Sequence, residues 1–143
     1  MKKHFLRGMA TINYWADDVK EARDWYANLF DIEAYFQMPN KDAPAYAEFR
    51  IGDDGDEFGI VSSAYKPAAM QTGAGGSVLY WNVDNIEEIY KKLLEAGATE
   101  CEPITKRGDS GFVTASVIDP FGNILGIMTN PHYVELHGGP KER

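Results

Sequence analysis

Between residues 10 and 16 apolar and polar side chains alternate, and the run carries Thr11, Ile12, Tyr14 and Trp15. β-Branched and aromatic residues in a two-residue period predict a strand. Asp17-Asp18 then offers a helix cap and first-turn acids. Val19, Ala22, Trp25, Tyr26, Leu29 and Phe30 follow at helical spacing. Three extended runs come next, over residues 32–38, 46–51 and 57–62. Gly52-Asp53-Asp54-Gly55, between the last two, suits a tight hairpin.

The order then starts again. Residues 78–83 predict a strand and Asp84-Asn85 a cap. Ile86, Ile89, Tyr90, Leu93 and Leu94 form an apolar helical stripe, which Gly97 ends. Extended runs over 99–105, 112–118 and 123–129 follow, with the turn Asp119-Pro120-Phe121-Gly122-Asn123 between the last two. The chain thus reads as two copies of β-α-β-β-β at an offset of 67 residues throughout. Asp17 answers Asp84, Gly55 answers Gly122, and Phe58-Gly59-Ile60 answers Leu125-Gly126-Ile127. The modules span 9–63 and 77–130, joined by a linker at 64–76 and followed by an irregular tail at 131–143. Hairpins with only two helices argue a mixed α+β class in one domain overall.

Composition narrows the class. Hydrophobic residues make up 44% of the 143, enough for a packed core. The net charge of −8 argues against nucleic acid, whose phosphates call for a basic face. No apolar run reaches the roughly 20 residues that span a bilayer, and the basic start, Met1-Lys2-Lys3-His4, lacks the apolar stretch of a signal peptide. Cys101 is the sole cysteine, so no intrachain disulfide forms, and a cytoplasmic location is expected. Glu100 and Glu102 flank that thiol and work against its ionisation.

The repeated βαβββ order, the Asp119-Pro120-Phe121-Gly122-Asn123 turn and the Trp25-Tyr26 pair late in the first helix resemble the vicinal oxygen chelate superfamily. That superfamily holds glyoxalase I, the bleomycin-resistance proteins and the extradiol dioxygenases. The resemblance implies a curled, cup-shaped mixed sheet with the helices outside, and a homodimer. It also implies metal-ligand positions on the first and last strand of each module. Carried onto this chain, those positions are Thr11, Gly59, Val78 and Gly126. Glycine and valine side chains cannot donate to a divalent ion, and a threonine hydroxyl is a poor lone ligand. No metal and no other cofactor are therefore expected.

Alternation assigns the faces. Ile12, Tyr14 and Ala16 take the helix side of the first strand, so Thr11, Asn13 and Trp15 point into the implied cup. In the matching strand Val78, Tyr80 and Asn82 point inward. Gly59 and Val61 do so in one last strand, and Ile124, Gly126 and Met128 in the other. The facing of residues 46–51 stays open. The offset pairs Ala47 with Thr114 and Phe49 with Ser116, which puts Ser116 among the ligand candidates. Amphipathicity instead sends Tyr46, Glu48 and Arg50 to the wetter face. A bulge in one module would reconcile the two. The strand glycines either leave room for a ligand or relieve crowding by Trp15 and Tyr80.

Other chemistries carry little weight. His4, His132 and His137 lie near the termini, outside the modules. Asp53, Asp54, Asp56 and Glu57 read as a solvated turn without the spacing of a calcium loop. Residues 103–111 read as a mobile turn. The expected function is metal-free binding of a small aromatic or cationic molecule, as the bleomycin-resistance resemblance implies. The alternative is a lyase, isomerase or dioxygenase with a non-standard metal or acid–base site.

Overall fold

Asp18 sets where the first helix starts. In the computed structural model, which describes residues 5–70 and 73–140, its side chain accepts a hydrogen bond from the Glu21 amide at 3.1 Å. That satisfies one of the amides a helix leaves open at its N-terminus. Helix α1 (Val19–Phe30) follows and buries Val19, Ala22 and Tyr26. It ends at Asp31, which takes a left-handed φ of 55°. Helix α2 (Ile86–Glu95) repeats the device, with Asn85 accepting from the Glu88 amide at 3.2 Å. Gly97, at φ 109°, turns the chain away from it.

The strands are β1 (Thr11–Ala16), β2 (Phe36–Met38), β3 (Tyr46–Ile51) and β4 (Asp56–Ser62), then β5 (Leu79–Asn82), β6 (Thr99–Arg107), β7 (Phe112–Ile118) and β8 (Ile124–Thr129). They form two four-stranded sheets, ordered β1-β4-β3-β2 and β5-β8-β7-β6. The class is mixed α+β, as the sequence pattern implies. The chain divides into two compact units, residues 1–14 with 18–62 and residues 15–17 with 63–143.

In the first unit α1 packs on β3 and β4. The shared core is aromatic: Tyr14, Tyr26 and Phe49 surround Phe58, with the Tyr14 and Tyr26 rings each 5.1 Å from it and edge-on. In the second unit α2 packs on β6, β7 and β8, and the core is aliphatic, built from Ile86, Leu93, Val117, Leu125 and Ile127.

Asp119-Pro120-Phe121-Gly122-Asn123 is a structural clamp. Buried Asp119 accepts from the Phe121 and Asn123 amides at 2.9 and 2.8 Å and from the Asn123 side chain at 2.9 Å. The same Asn123 amide accepts from the Trp15 N–H and donates to the Trp15 carbonyl, both at 2.9 Å. Trp15 is thereby held in the second unit although it lies in β1.

Three expectations need correction. The tail is not irregular: Pro131–His137 forms helix α3, with Asn130 accepting from the His132 and Tyr133 amides and Pro131 in the first turn. His132 and His137 belong to that helix, while His4 lies outside the described residues, as do 71–72 of the linker and 141–143 of the tail. Residues 103–107 are not a turn but the end of β6, paired to β7 as far as Arg107 opposite Phe112. The 67-residue offset is not constant, because ten residues separate Glu48 from its partner Gly59 and nine separate Ser116 from its partner Gly126. Glu48, not Phe49, is therefore the counterpart of Ser116. The difference arises in the hairpin connection; neither β3–β4 nor β7–β8 carries a break in register.

Candidate functional site

Burial settles the facing of β3. Ala47 and Phe49 are fully covered and turn toward α1, together with Phe58 and Ile60 of β4. Tyr46, Glu48 and Arg50 therefore share the opposite face with Glu57 and Gly59. Glu48 stands in register between Phe36 of β2 and Gly59 of β4. It is only 9% exposed, and a carboxyl group so placed needs partners. The Tyr46 hydroxyl donates a hydrogen bond to Glu48 Oε1, and Glu57 stands diagonally across from Glu48 on β4, on the same face.

Burial pushes the Glu48 carboxyl above its ordinary range, and the neighbouring Glu57 adds to this by charge and hydrogen bonding. Arg50 pulls the other way with the smallest effect, its guanidinium lying 4.4 Å from the centre of the Tyr35 ring. Tyr46 is raised too, by burial first and then by the charge of Glu57. The Phe36 ring sits 6.3 Å from Tyr46, so the acids have aromatic walls.

The room above Gly59 is filled by the protein's own side chains. A Cβ there would collide with Asn13 Oδ1 and lie 2.8 Å from the Tyr46 ring. Asn13 and Gly59 are thus brought together on this face, while Thr11, exposed, reaches the Glu57 carbonyl at 3.5 Å. Trp15 is half-buried.

The second unit brings together another part of the expected set. Tyr80 and Ser116 flank Gly126 in register. A Cβ on Gly126 would meet the Tyr80 ring at 2.6 Å and the Leu79 carbonyl oxygen at 2.8 Å. Ser116 is buried at 3% exposure and Tyr80 lies 41% exposed. Asn82 stands opposite Met128 and accepts from the Asn130 amide at 3.0 Å, which ties it to the start of α3. Val78 precedes β5 and is exposed. Crowding thus accounts for both glycines, by Tyr80 at Gly126 and by Asn13 and Tyr46, rather than Trp15, at Gly59.

The family's metal does not fit these residues. Thr11, Gly59, Val78 and Gly126 present no imidazole or carboxylate. The space a ligand side chain needs at Gly59 and Gly126 is already taken. Among the described residues, no three His, Cys, Asp or Glu side chains group as a metal site.

Sequence reasoning offers Tyr46 and Glu48 only as one of two open facings of β3, and it does not single out Glu57. The signal for the first two was present, since Ala47 and Phe49 alternate with them; the assumed constant offset obscured it. Glu57 was grouped with the solvated acids of the turn, but it is half-buried on β4.

Comparison with known proteins agrees with this architecture. Curated proteins provide no match. Protein ATC0852 from Agrobacterium tumefaciens, solved in solution by NMR, superposes with a TM-score of 0.70 at 16% identity, over 87% of this chain and 98% of its own. A glyoxalase-related enzyme from Fulvimarina pelagi gives 0.68 at 22% identity, over 88% and 90%. A glyoxalase/bleomycin resistance protein/dioxygenase family enzyme from Burkholderia phytofirmans PsJN gives 0.62 at 16% identity, over 84% and 96%. At these identities the likeness is one of fold. The family model matches residues 8–127, and on that match the chain belongs to the Glyoxalase/Bleomycin resistance protein/Dioxygenase superfamily.

Proposed function

We propose that this protein binds a small molecule, aromatic or positively charged, without a metal. The observation that carries the reading is the face around Glu48. A nearly buried carboxyl group stands there with Glu57, Tyr46 and Phe36, where a plain sheet core would be apolar. Acidic oxygens attract a cation, and aromatic rings attract both cations and flat apolar groups. The ill-fitting donor set at the four family positions supports the metal-free part.

The same reading has the protein act in the cytoplasm as a homodimer, with neither nucleic acid nor membrane as partner. The net charge of −8 and the lone cysteine support this, as does the lack of any membrane-crossing helix among the described residues. Among the described residues each sheet ends in two edge strands, β1 and β2 in one and β5 and β6 in the other, and a second copy would cover such an edge.

Native mass spectrometry and metal analysis of freshly purified protein test the reading. A retained organic compound with far less than one metal per chain is expected, and Glu48→Gln should lower its retention. Stoichiometric zinc, nickel, iron or manganese would overturn it.

One observation favours a second reading, a lyase or isomerase that uses an acid–base group in place of a metal. Glu48 has the raised proton affinity that general acids and bases show. Turnover of the retained compound, lost in Glu48→Gln, would select it.

A further inference from the structure

We propose that the face of the second sheet turned away from α2 binds a small aromatic carboxylate, with the Arg107 guanidinium as anchor, Ser116 as floor and the Tyr80 ring as wall. Ala115 and Val117 of β7 and Leu125 and Ile127 of β8 are buried on the side that α2 covers. Thr114 and Ser116 therefore take the opposite face, where Gly126 stands in register between Ser116 and Tyr80.

Strand β6 is built to bring a cation to this face. Glu102 stands opposite Ser116 and Thr105 opposite Thr114, a step of three residues on β6 against two on β7. In a regular strand Glu102 and Arg107, an odd number of residues apart, would point to opposite faces. The register shift between Glu102 and Thr105 absorbs the extra residue and puts both on one face. Arg107 Nε donates to Thr114 Oγ1 at 3.0 Å, which orients the guanidinium over β7. Its Nη2 lies 3.6 Å from Glu102 Oε2, too far for a hydrogen bond. Among the described residues the Nη groups hydrogen-bond no acceptor. A guanidinium so oriented can hold a carboxylate through two parallel N–H bonds. Glu102 opposes such a guest, but both members of its ion pair are more than half exposed, and pairs of that kind are weak enough to be displaced.

Ser116 points to the same occupant. It is 3% exposed, and among the described residues its hydroxyl has no hydrogen-bond partner. Buried hydroxyls are ordinarily bonded. On one side of it the Tyr80 ring fills the space over Gly126, and on the other stands the Arg107–Glu102 pair. The ring over β8 and the guanidinium over β7 are thus about one strand spacing apart, roughly 5 Å. A single ring bearing a carboxylate spans that distance, with its flat side on Tyr80, which is 41% exposed. The inference rests on the binding reading and narrows it to aromatic carboxylates.

The test is a titration of the full isotope-labelled chain with benzoate, followed by amide NMR shifts, with benzyl alcohol and benzylamine as controls. Benzoate is expected to move the amides around Arg107, Thr114, Ser116 and Tyr80 in a saturable way, and benzyl alcohol to bind there more weakly. Arg107→Gln should weaken benzoate about tenfold, the scale of a lost charge-assisted hydrogen bond. Ser116→Ala should weaken it by a smaller factor, and Glu102→Gln should tighten it. The proposal is wrong if benzoate gives no saturable shift on β6 and β7, or if Arg107→Gln leaves its affinity unchanged. Benzylamine saturating around Glu48 while benzoate leaves Arg107 untouched would sink the proposal and keep the binding reading. Benzoate held at Arg107 in a protein that retains no compound on purification would sink that reading and keep the proposal.

Discussion

Tyr46 and Glu48, two positions apart on β3, are joined by a hydrogen bond in which the phenol donates to the carboxyl group. The bond lies on the face away from α1, where Glu48 is nearly covered. Folding thus takes a carboxyl group out of water, gives it a neutral donor, and sets it beside Glu57. The net effect favours the protonated form.

A pH dependence follows, and its sign can be worked out. Burial, and then Glu57, raise the Glu48 carboxyl above the ordinary glutamate value of 4.5. Below that value both folded and unfolded chains carry the proton. As pH rises through it the unfolded chain releases the proton first, so the folded state binds more protons and loses stability with rising pH. The loss continues until Glu48 ionises in the folded protein. Glu48→Gln keeps an acceptor for Tyr46 and has nothing to ionise. Urea unfolding across a pH series should therefore show the variant gaining on the native protein above about pH 4.5 and then levelling off. A difference independent of pH would contradict the burial account.

The two strand glycines should not respond equally to an added methyl group. At Gly126 one obstruction is the Leu79 carbonyl oxygen, 2.8 Å from a Cβ, and backbone cannot swing aside. At Gly59 the obstructions are side-chain ends, Asn13 Oδ1 and the Tyr46 ring. Overpacking of this kind costs about 1–3 kcal/mol. Gly126→Ala is expected at the upper end and Gly59→Ala at the lower, by chemical denaturation. Removing Asn13 as well should recover part of the Gly59→Ala cost, because the sites share the contact.

Asn123 acts as a short substitute for a strand at the end of β1. Its side chain satisfies both the N–H and the carbonyl of Trp15 while donating to Asp119. With three bonds worth about 0.5–1.5 kcal/mol each, Asn123→Ala should cost about 2–4 kcal/mol of unfolding free energy. Asn123→Asp should not rescue it. A carboxylate cannot donate to the Trp15 carbonyl, and it would stand against Asp119. If the aspartate variant is as stable as the native protein, the clamp has been misread.

Much of this fold was legible in the sequence because local signals agreed with one another. Alternation marked β3 and β7 to their last residues, and the acid and amide before each long helix marked its start. Helix α3 was passed over although Asn130-Pro131 is a cap followed by a first-turn proline; at seven residues, its apolar stripe is too short to register. The site was legible only in part. Glycine at 59 and 126 could be read as a crowded point, but not which side chains crowd it. Glu48 was hidden by a repeat assumed to be uniform, and a difference of one residue in a hairpin turns a strand over. Partners such as Glu57 depend on register, which periodicity alone does not supply.

Tyr90 offers a separate test of packing on α2. It is 8% exposed, and its hydroxyl donates to Glu100 Oε1 at 2.9 Å. Burial, the hydrogen bond and then the charge of Glu100 push the phenol up to about 12. Glu100 is exposed, and so is Glu102, whose carbonyl the hydroxyl also reaches at 3.4 Å, so both residues that lose a partner stand at the surface. Tyr90→Phe should therefore cost about 1 kcal/mol near neutral pH, the ordinary net value of one hydrogen bond. Between the ordinary tyrosine value of 10.0 and about 12 the unfolded tyrosine ionises while the folded one does not. Over that window the native protein loses stability with rising pH and the phenylalanine variant is spared this loss. Unfolding measured at about pH 8 and again at about pH 11 should thus show the native advantage shrinking. An advantage that grows with pH would mean that Glu100 is not the partner of Tyr90.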